Sequence, residues 1–122
     1  MKIISIRGAT TIVENTTENI CDETKKLLSS ILYTNKINIE DCVNIIFSCT
    51  DDITSAYPAK FAREIGFENT PLMCLQEMKV ENSLKLCIRV IMTVMVSDIF
   101  SSDIKHIYLN NAKNLRPDLV NE

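Results

Sequence analysis

The chain has 122 residues and a net charge of −3, with 46% hydrophobic and 24% charged residues. This length and composition indicate one globular domain and argue against intrinsic disorder. An acidic balance without a basic stretch argues against a nucleic-acid partner. The apolar runs are too short to cross a bilayer, and no signal-peptide pattern opens the chain. We therefore expect a cytoplasmic protein that is neither secreted nor bound to membranes.

The cysteine and glycine patterns argue against the usual metal and cofactor sites. Five cysteines, at positions 21, 42, 49, 74 and 87, show no CxxC spacing, and His106 is the one histidine. A zinc site is not indicated, and an odd number of thiols fits reduced cysteines that pack as small apolar groups. Gly8 and Gly66 are too few for a glycine-rich phosphate loop. We expect no metal and no cofactor.

The first half of the chain predicts two strands and two helices. Residues 2–13 read as a β-branched strand, and Asn15 with Glu18 has the spacing of a capping box that opens a helix. The apolar stripe of that helix consists of Ile20, Thr24, Leu27, Leu28, Ile31 and Leu32. A second strand is predicted at 42–49, followed by a turn at 50–52. Pro58 suits the first turn of a short second helix, which Gly66 ends.

The second half predicts three more strands, at 71–76, 84–96 and 104–110, with a polar connection at 97–103. Residues 115–119 predict a turn or a short helical piece. Strands interleaved with two main helices indicate an α/β or α+β class, with a mixed sheet in a single domain over residues 1–119. A short frayed end follows at 120–122. Because two helices cover one sheet face incompletely, we also expect self-association.

Two arginines lie inside apolar, strand-like segments. Arg89 interrupts the run 84–96, and Arg7 interrupts the run 3–13. A guanidinium keeps its charge at any ordinary pH, so its burial requires an acidic partner, an anionic ligand or both. Two interpretations stay open: a structural ion pair with a residue such as Glu77, or a site for an anion.

Other polar residues near apolar segments admit two readings each. Lys60 and Arg63 share one face of the short helix, as a solvated surface or as part of an anion site. Tyr108 is either a core residue with its hydroxyl at the rim or a hydrogen-bond donor to a ligand. His106 fits a packed, hydrogen-bonded histidine. The Asp51-Asp52 pair is more simply a turn than a pair of catalytic carboxylates.

Six segments in collinear order together resemble the monofunctional AroH-type chorismate mutases, over residues 3–119. They are IRGATT (6–11), YPAK (57–60) with Arg63, CLQEM (74–78), CIRVIMTV (87–94), HIYL (106–109) and LRPDL (115–119). The resemblance implies a ferredoxin-like subunit, a homotrimer that forms a pseudo-barrel, and active sites between subunits. It also implies an isomerase that converts chorismate to prephenate without a cofactor, in phenylalanine and tyrosine biosynthesis.

The family's site residues map onto matching positions. Arg89 resembles the arginine that donates to the substrate's ether oxygen, Arg7 the carboxylate-binding arginine, and Glu77 the acceptor for the ring hydroxyl. These three would be catalytic. The remaining substrate contacts would come from Tyr57, Ala59, Lys60, Arg63, Met73, Cys74, Tyr108, Leu115 and Arg116. The resemblance implies that a neighbouring subunit supplies one wall, formed by Tyr57, Ala59, Lys60 and Arg63. Leu115 and Arg116 would form a C-terminal cover. Met73 stands where the family often has threonine.

Two other hypotheses share some of these features. A non-catalytic trimeric module that binds small dicarboxylates would use the same arginines. A carboxylate such as Glu77 would not help such a module to bind an anion. Alternatively, Arg7, Arg89 and Glu77 form an ion network at an interface. Turnover of chorismate separates catalysis from both.

Overall fold

The computed structural model describes residues 1–97 and 103–115. The helices and strands follow in the order β1 (Lys2–Thr11), α1 (Thr17–Asn35), β2 (Cys42–Cys49), α2 (Pro58–Glu64), β3 (Leu72–Gln76), β4 (Cys87–Val96) and β5 (Ile107–Tyr108). Short 3-10 helices lie at Ile39–Asp41 and Asn110–Asn114. Within the described ranges, no helix is long and apolar enough to span a membrane.

The strands form one mixed sheet in the order β3-β2-β4-β1-β5. The central strand β4 is antiparallel to both β1 and β2, while β3 is parallel to β2 and β5 is parallel to β1. A crossover through α2 joins the parallel pair β2–β3, whereas β1 and β5 come together from opposite ends of the chain. The predicted α+β class, with a mixed sheet and two main helices, is confirmed.

Helices α1 and α2 cover one face of this sheet and enclose the main core. Its fully buried members include Ile6, Ile20, Leu27, Leu28, Ile31, Ile45, Phe47, Phe67, Ile88, Met92 and Val94. Gly8 lets α1 approach β1 closely, because an added Cβ would lie 2.9 Å from Ile31 Cδ1 and 3.1 Å from both Leu27 Cδ1 and Val90 Cγ1.

The opposite face of the sheet, which we call the open face, has no helix over its centre in the described part of the chain. Its large apolar side chains are exposed to 65% at Ile3, 57% at Met73, 49% at Leu75, and 37% at both Ile91 and Met95. This agrees with the expectation that two helices leave one sheet face uncovered. Contiguous exposed apolar surface of this kind is typical of a protein–protein interface.

The capping-box prediction at Asn15 is wrong by one residue. Thr16 is the N-cap of α1, and its Oγ1 accepts from the Asn19 backbone N–H at 3.1 Å. Asn15 instead uses its side chain to hold the loop before α2, where Oδ1 accepts from the backbone N–H groups of Thr54 and Ser55. The Asn15 side chain, a good local capping group, is therefore used in a tertiary contact and does not cap α1.

Four of the five strand predictions are too long. β1 ends at Thr11 and not at position 13, and β3 begins at Leu72 and not at position 71. β4 begins at Cys87 and not at position 84, because Leu86 has φ of 50° and so leaves the extended conformation. β5 comprises only Ile107–Tyr108, since Asn110 has φ of 54° and begins a 3-10 helix. Most of the predicted connection at 97–103, and the predicted elements from 116 onward, lie outside the described residues.

Candidate active site on the open face

Strand register places the two anomalous arginines on the open face. In the β1–β4 ladder Arg7 pairs with Ile91 and Ala9 pairs with Arg89, so the two guanidinium groups belong to neighbouring positions of the same face. Both arginines are half-buried. The backbone N–H of Arg7 donates to His106 Nδ1 at 2.9 Å, which also fixes His106 beside this strand. The reading of His106 as a packed, hydrogen-bonded residue is confirmed.

Glu77 reaches the same face from the end of β3. Its backbone N–H donates to the Cys49 carbonyl at 2.8 Å, which extends the β2–β3 pairing by one residue. Its Oε1 lies 3.5 Å from Arg89 Nη1 and accepts from Ser48 Oγ at 2.8 Å. The structure therefore pairs Arg89 with the predicted acidic residue, while the partial exposure of both side chains leaves room for a ligand.

Ser48 is a site residue that sequence reasoning missed. It pairs with Arg89 in the β2–β4 ladder and lines the depression that holds Arg7 and Glu77. A single serine in an apolar strand carries no motif. The alternation of Ile45 and Phe47 into the core does predict that Ser48 faces the other way, which was the available signal.

Tyr108 completes the group, paired with Ala9 through the parallel β1–β5 register. Its ring is buried in a small cluster with Ala9, Cys87 and Ala112, against which Leu115 packs. Together these elements surround a depression of about 160 Å³ lined by Arg7, Gly8, Ile46, Ser48, Glu77, Arg89, Val90, Ile91 and Tyr108. Small-molecule sites usually enclose roughly 300–1,000 Å³. The depression around Arg89 is smaller than that range.

Most of the other predicted contacts lie on a different part of the same chain. A separate cleft of about 570 Å³ is bordered by the loop before α2, by Tyr57 and by Cys74. Tyr57 is 73% exposed, Lys60 and Arg63 are exposed on α2, and Ala59 is buried. Met73 and Cys74 point to opposite faces, with Met73 on the open face and Cys74 packed toward the helices. Arg116 lies outside the described residues.

The thiols near these sites stay protonated at neutral pH. Burial raises the pKa of Cys74, although a hydrogen bond from the Ala59 backbone and the charge of Arg63 oppose the rise. Burial likewise raises the pKa of Cys49 to about 12 and that of Cys87 to about 11. A protonated thiol is a poor nucleophile, so these cysteines do not suit covalent catalysis.

The chemistry of this side-chain set is anion binding with one charge-balancing carboxylate. Guanidinium forks bind carboxylates and hold a fixed positive charge, and the phenol of Tyr108 can donate a further hydrogen bond. In residues 1–97 and 103–115, no three His, Cys, Asp or Glu side chains are grouped to hold a metal ion.

The profile of the chorismate mutase type I family matches residues 3–119. The chain belongs to the type I chorismate mutase family. It is 45% identical over 120 residues to the chorismate mutase AroH of Bacillus subtilis (strain 168), covering 98% of this chain and 94% of the relative. The chorismate mutase AroH of Thermus thermophilus is 42% identical over 115 residues, covering 93% of each chain.

A solved chorismate mutase structure from Clostridium thermocellum has the same fold. It superposes with a TM-score of 0.86 at 46% identity, and the match covers 91% of this chain and 98% of that one. These similarities confirm the family indicated by the six sequence segments, and with it the expected chorismate mutase activity, an isomerase function.

Proposed function

We propose that this chorismate mutase converts chorismate to prephenate by electrostatic stabilisation, with Arg89, Arg7 and Glu77 as its catalytic groups. The observation that carries the proposal is the convergence of these three side chains with Tyr108 on the open face. The product would enter phenylalanine and tyrosine biosynthesis.

The reaction requires little chemical machinery from a protein. It is an intramolecular [3,3] rearrangement in which the ether C–O bond breaks ahead of C–C bond formation, so negative charge builds on the enolpyruvyl ether oxygen. A protein accelerates it by holding the folded conformer of the substrate and by placing positive charge beside that oxygen. A fixed guanidinium meets both needs because it neither moves a proton nor loses its charge.

Each side chain of the site has a proposed task. Arg89 donates to the ether oxygen and to a substrate carboxylate, and Arg7 binds a carboxylate from β1. Glu77 accepts a hydrogen bond from the ring hydroxyl of the substrate, and the Ser48 hydroxyl orients the Glu77 carboxylate by donating to Oε1. Tyr108 donates its phenol to a carboxylate. Met73, Cys74, Leu115 and Arg116 contribute the remaining substrate contacts.

We propose further that the active unit is a homotrimeric pseudo-barrel with sites between subunits. The shallow depression around Arg89 needs a second wall, and the cleft at Tyr57 and Cys74 on the same chain offers one from a neighbour. Lys60 and Arg63, exposed on α2 beside this cleft, would add positive charge for the dicarboxylate. The exposed apolar side chains of the open face would pack at this interface. Five free cysteines suit a reducing location such as the cytoplasm.

The test is the loss of chorismate's ultraviolet absorbance on addition of purified protein, with prephenate identified as product. Arg89→Ala should lower kcat by at least roughly 10²–10³, the scale for losing one donor to developing charge. Arg89→Lys should also be severely impaired, because a point charge cannot reproduce the fork. Lys26→Ala, an exposed change on α1, serves as the control. Dicarboxylate binding without turnover would instead favour a non-catalytic binding module.

A further inference from the structure

We propose that Thr50 and Asp52 are positioning residues that fix the first residues of β4 and thereby the aim of Arg89. The two side chains and the backbone they hold are called the 50–52 clamp below. The inference rests on the proposed role of Arg89, and it concerns residues that make no contact with that side chain.

Asp52 holds the residue that precedes β4. The backbone N–H of Leu86 donates to both carboxylate oxygens of Asp52, at 3.1 Å to Oδ1 and 3.0 Å to Oδ2. The Leu86 carbonyl accepts from the Ile12 backbone N–H at 2.9 Å, and its side chain packs against the main core. Leu86 is thus fixed from three directions.

Thr50 holds the first residue of β4 itself. Its backbone N–H donates to the Cys87 carbonyl at 3.1 Å, and its Oγ1 accepts from the Cys87 N–H at 2.9 Å. The same hydroxyl donates to Asp52 Oδ1, which joins the two halves of the clamp. Since Cys87 is 2% exposed, its N–H has no access to bulk water and depends on this hydroxyl.

The backbone at Leu86 needs such support. Leu86 has φ of 50°, in the left-handed region that costs a branched residue roughly 1–2 kcal/mol. A strained residue persists only where its surroundings over-determine it. Two carboxylate contacts on one backbone N–H supply that constraint, so the turn into β4 is imposed by Asp52 and not by local preference.

Arg89 lies two residues beyond Cys87, close to the end of β4 that the clamp holds. Strand ends open more readily than strand centres, so this end would otherwise fray. The clamp also adjoins the opposite member of the ion pair, because Cys49, the residue before Thr50, accepts the backbone hydrogen bond of Glu77. One short segment, residues 48–52, therefore sets the positions of both Arg89 and Glu77.

The experiment compares matched variants at both clamp positions. Thr50→Val removes the hydroxyl with little change in shape, and Thr50→Ser restores it. Asp52→Ala removes both acceptors. Asp22→Ala is the control, since Asp22 is exposed on α1 and takes no part in the clamp. Chorismate turnover is measured well below the unfolding temperature of each variant, and amide hydrogen exchange is measured at Leu86 and Cys87.

Thr50→Val and Asp52→Ala should lower kcat about ten- to a hundredfold, the scale for misplacing a catalytic group by a fraction of an ångström to 1 Å. KM should rise by less than kcat falls, because the charge on the ether oxygen develops only in the transition state, whereas Arg7 still holds a carboxylate of the bound substrate. Exchange at Leu86 and Cys87 should quicken. Thr50→Ser should stay close to the unaltered enzyme, as should Asp22→Ala.

A general structural role predicts a different result. Thr50→Val with unchanged kcat per folded molecule, or Thr50→Ser as impaired as Thr50→Val, would overturn the clamp. If Asp52→Ala does not fold, the comparison of Thr50→Val with Thr50→Ser still tests the clamp. If the unaltered chain failed to turn over chorismate, the proposed mechanism would be lost, while exchange at Leu86 and Cys87 would still report whether the clamp fixes β4.

Discussion

Arg89 and Glu77 meet through a single carboxylate oxygen, with Arg89 Nη1 at 3.5 Å from Glu77 Oε1. Ser48 Oγ donates to that same oxygen at 2.8 Å. The side chains of Arg89 and Glu77 are 43% and 26% exposed. A long, partly hydrated pair of this kind adds little stability. Its arrangement suits a site that must orient a guanidinium without neutralising it.

Ser48→Ala should lower kcat/KM about tenfold. The change removes one hydrogen bond to a charged group, worth roughly 1.5–3 kcal/mol when fully effective, and partial exposure places the effect at the lower end. Steady-state turnover of chorismate measures it, with Ser29→Ala on the exposed side of α1 as a matched control. Unaltered kcat/KM in Ser48→Ala would show that Glu77 is held by other contacts.

Mixed trimers test whether the site is shared between subunits. Arg89→Ala and Arg63→Ala should each be nearly inactive alone, since they damage opposite walls of the same site. In heterotrimers that contain both variants, they should regain about a third of the wild-type activity, because one of the three interfaces in such a ring joins two intact walls. Tagged, purified heterotrimers are the material for this assay. Activity no higher than the sum of the parents would place the site within one chain.

Gly8→Ala should destabilise the fold by about 1–3 kcal/mol, the usual effect of overpacking. The added methyl would lie 2.9 Å from Ile31 Cδ1, so α1 or its side chains must shift. Urea unfolding at one fixed protein concentration measures the difference in the free energy of unfolding. Thr34→Ala, at an exposed position of α1, is the control. A Gly8→Ala variant as stable as the wild type would mean that the α1–β1 contact is loosely packed.

The free energy of unfolding should fall as the pH rises above about 9. Burial raises the pKa of Cys49 to about 12 and the pKa of Cys42 and Cys87 to about 11, so the folded chain keeps these protons. The unfolded chain releases them near the ordinary thiol pKa. The stabilisation that these buried thiols contribute is therefore complete below the pKa of an unfolded thiol. It is lost as the pH rises from there through the pKa values of the folded chain. Denaturant unfolding at about pH 8 and about pH 10.5 measures the loss, which should be smaller in Cys49→Ala. An equal loss in that variant would assign the effect to other groups.

The repeating elements of the fold were predictable from sequence because their signals are local. Alternation in β1 and β2 and the stripe along α1 follow from which side chains face the core. Arg7 and Arg89 were conspicuous for the same reason, as charges inside apolar runs. Only the β1–β4 register, a long-range property, places them beside each other.

The features that sequence reasoning missed depend on distant partners. Asn15 is a good capping residue, yet it bonds to the loop at Thr54 and leaves the cap to Thr16. Leu86 keeps β4 from starting at position 84 as predicted, because Asp52 and Ile12 hold its backbone in a conformation that leucine does not prefer. Ser48 gains its role from Glu77, 29 positions along the chain. Each depends on a tertiary contact that overrides local preference.

We propose that the positive charge of Arg89, and not merely its hydrogen bonds, drives the rearrangement. Replacing Arg89 by a neutral isostere of arginine such as citrulline keeps the shape and most donors while removing the charge. With folding and assembly unchanged, kcat for chorismate should fall by at least roughly 10²–10³. A kcat within about tenfold of the native enzyme would show that the hydrogen bonds of residue 89, and not its charge, carry the rate.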